Sequence, residues 1–181
     1  LQLGYTYRPS GKVEKLQQNK DRLENQEKRR LFFNLQSMLA RGQKYPVNGP
    51  RYSIQQMQLY GSYNYRPSKS VQLGYELEYH AGIYSFLKAI YHVGNLRKNS
   101  TQHSAFIGHE FKFGPVGFFT QLGFYLQKNH MNSQFMYQRL GLNIYVWEPN
   151  YNFLQKVYIS GIVKTHLSVA DYGSLGLGLV F

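Results

Sequence analysis

From about residue 31 onward, apolar and polar positions alternate with a period of two. Across Lys156 to Leu167, one face carries Val157, Ile159, Gly161, Val163, Thr165 and Leu167. The other carries Lys156, Tyr158, Ser160, Ile162, Lys164 and His166. Successive side chains of a strand point to opposite sides, so this run predicts a strand between two unlike environments. The same reading holds for Leu175, Leu177, Leu179 and Phe181 against Ser174, Gly176, Gly178 and Val180. It holds for Met136, Leu140, Leu142, Ile144 and Val146 against Tyr137, Arg139, Gly141, Asn143 and Tyr145. Upstream, Leu122, Phe124 and Leu126 oppose Gln121, Gly123 and Tyr125. Val71, Leu73, Tyr75, Leu77 and Tyr79 oppose Gln72, Gly74, Glu76, Glu78 and His80. Met57, Leu59, Tyr63 and Tyr65 oppose Gln58, Tyr60, Ser62, Asn64 and Arg66. Weaker runs cover about 101–113 and 31–41.

A soluble sandwich also alternates, but it needs an inward face of Val, Ile and Leu and a solvated outer one. These runs are long and end in tyrosines. The expected fold is therefore all-β: an antiparallel transmembrane β-barrel of eight or more strands, closed, apolar towards lipid and polar towards the lumen. The connections agree. Short turns at 66–70, 113–117 and 148–152 alternate with longer links at 42–52 and 82–100, as periplasmic turns alternate with external loops. The 82–100 link is compatible with either a strand extension or a helical turn. Glycines among bulky polar residues predict a narrow lumen filled by its own side chains. Glu76, Glu78, Glu110, Lys112, Arg139, Lys156 and Lys164 would lie there as a mutually neutralised network, since buried charges must be paired.

Composition narrows the partners. The chain has 181 residues, 17 Tyr, 12 Phe and no Cys, so neither a disulfide nor a thiolate metal site can form. No stretch approaches the roughly 20 apolar residues of a membrane helix. The net charge of +12 suits nucleic acid, anionic lipid or an acidic partner. Its basic residues are spread along the chain rather than clustered on one element, which favours lipid and argues against nucleic acid.

The N-terminal part reads differently. "LGYTYRPS" (3–10) echoes "YGSYNYRPS" (60–68), a likeness of hairpin composition rather than a true repeat. Residues 1–9 would make a ninth strand, whereas single-chain bacterial barrels have even counts. The expectation is that an upstream strand is missing from the chain, or that residues 1–9 stand outside the wall. The chain opens directly with "LQLGYTYRP", and the expectation is a mature or trimmed product. Between 11 and 30 lies a segment too charged for a membrane face, expected to be a periplasmic loop and a docking element for outer-membrane protein partners.

"GHEF" (108–111), "TQLGFYL" (120–126), "YQRLGLNIYV" (137–146) and "KTHLSVADYGSLGLG" (164–178) resemble the lipid A deacylase (acyloxyacyl hydrolase) family of outer-membrane proteins. The resemblance spans about 100–181, with looser support in 53–80. It implies a barrel in the outer membrane of a Gram-negative bacterium, with lipid A, lipopolysaccharide and outer-membrane lipid as partners. It also implies a carboxylic-ester hydrolase acting on acyl chains of lipid A, with no cofactor. The family's catalytic motif is His-X-Ser-Asn-Gly followed by an acidic or amide residue. The full motif is absent from this chain: His166-Leu-Ser168 has the first spacing, but Val169 and Ala170 follow, and Ser174 stands where relatives carry an acid. The resemblance places the motif before a segment like "LQLGYTYRP".

The catalytic candidates are thus His166 and Ser168, close to Asp171. His166 shares a face with Lys156, Ser160 and Lys164, so it is expected to point into the lumen as a satisfied interior histidine, as is His80 beside Glu78. His109 falls on the lipid face without a role set by the pattern. No set of His or carboxylates has metal-ligand spacing. Two functions compete: a lipid A acyl-ester hydrolase whose Ser-His machinery is expected upstream of Leu1, and a non-catalytic accessory or structural barrel in an outer-membrane protein complex.

Overall fold

The computed structural model describes residues 30–42, 49–90, 94–129, 132–149, 153–166 and 169–181. Its strands are β1 (Leu31–Gly42), β2 (Tyr52–Arg66), β3 (Lys69–His80), β4 (Thr101–Phe113), β5 (Val116–Gln127), β6 (Met136–Trp147), β7 (Lys156–His166) and β8 (Val169–Val180). Each is antiparallel to its sequence neighbours. β1 also pairs with β8, from Asn34↔Val180 to Ala40↔Ser174, so the sheet closes with no open edge. Closure uses only residues from 31 onward. The expected ninth strand (1–9) and residues 11–29 of the charged segment lie outside the described residues.

The alternation sorts the side chains as the sequence predicts. Leu73 and Leu175 stand outward, 68% and 70% exposed, while Glu78, Arg139 and Lys164 point inward with 1% or less. Among the described residues no helix is long and apolar enough to cross a membrane. An outward apolar wall of this kind crosses by its strands.

The lumen is packed rather than open. Tyr60 and Tyr158 share a hydroxyl–hydroxyl bond of 2.7 Å, Phe106 meets the Tyr60 ring edge-on at 5.8 Å, and Met38, Phe119 and Ile162 form an apolar cluster. Such rings fit because glycine stands opposite them. A Cβ at Gly123 or Gly178 would run into the phenol of Tyr137 or Tyr158.

The interior charges form two groups. Glu78 takes Lys164 Nζ at 2.5 Å, Gln102 Nε2 at 2.8 Å and the His80 ring; Glu76 takes Arg139 and, at 2.7 Å, Gln58 Nε2. Glu110 instead accepts from Tyr145 Oη at 2.8 Å, Asn143 Nδ2 at 3.0 Å and Ser70 Oγ at 3.2 Å. Lys112 reaches Asn64 Oδ1 at 2.8 Å. Lys156, expected inside, sits at the lumen margin: it pairs with Glu148 at 2.8 Å and its side chain is 32% exposed.

One end of the barrel has tight turns, such as Gly114-Pro115, where Gly114 holds φ 61. A side chain there would be strained. The opposite end carries the links 43–51, 81–100 and 128–135, together with the two-residue step 167–168 from β7 to β8. The 81–100 link resolves the open choice in favour of helix: α1 (Ala81–Ile90) and α2 (Leu96–Asn99). Ile83 and Leu87, four apart and so on one helix face, are buried, and Gly82 lies directly against the Tyr52 ring. α2 ends where the Ser100 and Thr101 hydroxyls donate to the carbonyls of Leu96 and Arg97 at 2.7 and 2.8 Å.

Candidate functional site at the β7–β8 corner

His166 closes β7 at the loop end. Its Nε2 bonds the Tyr125 hydroxyl at 2.8 Å, and the two rings stack at 6.0 Å with 17° between their planes. Tyr137 lies edge-on to the imidazole at 6.5 Å. The ring therefore faces the lumen, as its place beside Lys164 predicts. It sits at the rim rather than deep inside, with 14% of its side chain exposed.

Asp171 supplies what simple alternation does not predict. Parity along β8 puts it on the outward face with Leu175 and Leu177. The β7–β8 register, however, steps from Lys164↔Tyr172 to Thr165↔Ala170, which leaves Asp171 as the extra residue of a bulge. Bulges re-aim side chains and are over-represented beside active sites. Here the bulge brings the carboxylate to 3.5 Å from His166 Nδ1. With the Nδ1 proton turned to the carboxylate, Nε2 is left as the acceptor for Tyr125 O–H, the tautomer a general base needs. Ser168 lies between these two residues in the chain but outside the described residues.

Below the imidazole, Lys164 Nζ stands 4.3 Å from the Tyr137 ring centroid, 5.1 Å from that of Tyr125 and 5.6 Å from that of Tyr172. The corner is thus a tyrosine-walled rim with one imidazole and one carboxylate on top and the Glu78-paired Lys164 beneath.

A family model described as "Acyloxyacyl hydrolase, C-terminal domain" matches residues 31–181, the whole closed wall. The chain belongs to the acyloxyacyl hydrolase family. No curated protein matches it significantly. The matched span includes the β7–β8 corner.

The other described histidines are held elsewhere. His80 pairs with Glu78 inside the lumen. His109 faces outward, where Nε2 bonds the Tyr65 hydroxyl at 2.6 Å and the ring packs on Phe111 at 4.3 Å. That contact reaches across β3 from β2 to β4 and gives the ring one polar partner on the apolar face, while its buried Nδ1 has none among the described residues. His103 likewise bonds Tyr75. Among the described residues no group of three His, Asp or Glu is arranged to hold a metal ion.

Proposed function

We propose that this protein is an outer-membrane barrel of a Gram-negative bacterium that hydrolyses an ester-linked acyl chain of lipid A, with the reacting groups at the β7–β8 corner. The observation that carries this reading is the Asp171–His166 pair flanking Ser168 in a chain of the acyloxyacyl hydrolase family. The tight turns face the periplasm and the longer links face out. The corner then lies on the outer-leaflet side, near the level of the acyl esters. Ser168 Oγ attacks the ester carbonyl while His166 Nε2, leaving Tyr125, takes its proton; the sugar hydroxyl departs with that proton. Water then cleaves the acyl-serine by the same route and releases a fatty acid. The fuller family signature is absent, so this chemistry rests on the His-X-Ser core with Asp171. Residues 31–181 act as the barrel domain, and the charged 11–30 segment is read as a periplasmic loop. The membrane partners are lipid A, lipopolysaccharide and outer-membrane lipid.

A second reading, an accessory barrel without catalysis, is favoured by the inward packing of His166 against Tyr125 and Tyr137 and by the charged 11–30 segment as a protein-docking loop. The two are separated by expressing the full chain in a Gram-negative host and weighing its lipid A. Hydrolysis predicts lipid A lighter by one acyl chain, with His166→Ala and Ser168→Ala each cutting turnover by orders of magnitude while folded gel mobility persists. Unchanged lipid A in cells with folded wild-type barrel selects the accessory role.

A further inference from the structure

Several cations at the turn end are held by partners, although Arg66 there is exposed and enters no ion pair among the described residues. At the turn end, Lys69 lies over the Phe111 ring at 5.5 Å, Lys112 is bonded to Asn64, and Lys156 is paired with Glu148. At the loop end, the segment 81–100 holds Lys88, Arg97 and Lys98 and no Asp or Glu. All three are exposed, and among the described residues none enters an ion pair. Three cations held on ordered helices without a counter-charge mark a surface for an anion.

Their setting narrows the anion. Tyr79 closes the outward, lipid-side row of β3, and Tyr84 of α1 tilts against it with ring centroids 6.4 Å apart. Arg97 is near enough to the Tyr79 phenol to act on it electrostatically. While Ile83 and Leu87 bury one flank of α1, the tyrosine flank meets the outer wall and Lys88 points to solvent. Tyrosines at the edge of an apolar band mark the membrane–water boundary, and cations just beyond it meet lipid phosphates.

We propose that α1 and α2 form a docking element for phosphorylated lipid headgroups of the surrounding leaflet, with Tyr79 and Tyr84 at the boundary and Lys88, Arg97 and Lys98 on the phosphates. This rests on the membrane placement above and extends it from the cleaved ester to the headgroup. Docking there would hold a lipid beside the rim without touching the β7–β8 corner.

The test uses the full chain, purified folded in nonionic detergent and followed by native mass spectrometry. The probes are bisphosphorylated lipid A, the same lipid A stripped of phosphate, and inorganic phosphate. The wild type should retain the phosphorylated form at least about tenfold better. The triple variant Lys88→Ser, Arg97→Ser, Lys98→Ser should lose that preference at unchanged folded mobility. Millimolar inorganic phosphate should not displace the lipid. Equal retention of both lipids by the wild type, full preference in the triple variant, or displacement by inorganic phosphate would overturn the proposal. Acyl loss is not read here, so a barrel that docks without cleaving, or cleaves without docking, gives a distinct pair of results.

Discussion

Glu78 and Glu110 are both buried in the same lumen, yet they are held in opposite ways. Glu78, towards the loop end, is neutralised by cations: Lys164 at 2.5 Å, with Arg139 at 3.8 Å. Glu110, towards the turn end, is solvated mainly by neutral donors from Tyr145, Asn143 and Ser70, with Lys112 no nearer than 3.9 Å. The difference follows from what each can reach. Lys112 is partly exposed and spends its shortest bond on Asn64, so Glu110 is left to hydroxyls and an amide. Around Glu78 the cations are themselves shut away from water, and each carboxylate there makes a buried cation tolerable. Removing one partner from the two groups should therefore have very different consequences.

The largest effect is expected from Lys164→Met. It leaves Glu78 buried with its nearest cation gone and should destabilise the barrel by about 3–5 kcal/mol. Loss of folded, heat-modifiable mobility at a much lower temperature or urea concentration would show it. A stability unchanged within error would mean that Arg139 and His80 alone suffice. The double variant Glu78→Met with Lys164→Met sharpens the point. Removing the pair together should cost clearly less than Lys164→Met alone, because no isolated charge remains. Additive losses in urea unfolding would show that the cost lies in packing rather than in charge.

At Glu110 the expectation is smaller. Glu110→Gln keeps an oxygen for Tyr145 and Asn143 and gives up one charge that no close cation holds. A loss of about 0.5–1.5 kcal/mol in the same unfolding series fits one weakened hydrogen bond. A loss as large as that of Lys164→Met would show that Lys112 matters to Glu110 beyond its distance.

How much of this was legible follows from the same residues. Inward placement of Glu76, Glu78, Glu110, Arg139 and Lys164 is read directly from alternation, because a closed wall has only two sides. Which carboxylate meets which cation is not: Glu78 and Lys164 are 86 residues apart, and their meeting depends on how the strand registers add up around the barrel. The corner was half legible for a related reason. His166 follows the parity of β7, but Asp171 reaches it only through a bulge, and a bulge breaks the period-two count that made the strands readable. The helix at 81–90 was open because its Ile83 and Leu87 spacing is too short a run to outweigh a strand reading.

The smallest effect is expected outside the lumen, at Lys156. Its pair with Glu148 is as short as many buried contacts, 2.8 Å, but the two side chains are 32% and 46% exposed. Water competes for both charges, and ordering two long side chains offsets much of the attraction. Lys156 also stands 5.4 Å from the Tyr145 ring, a further contact weakened by exposure. Lys156→Ala should therefore change stability by no more than about 1 kcal/mol, and less at high salt, where exposed charges are screened. Urea unfolding at low and high ionic strength measures both numbers. A salt-independent loss rivalling that of Lys164→Met would mean that Lys156 serves the lumen as a buried cation, and the distinction between shielded and solvated carboxylates would fail at the turn end.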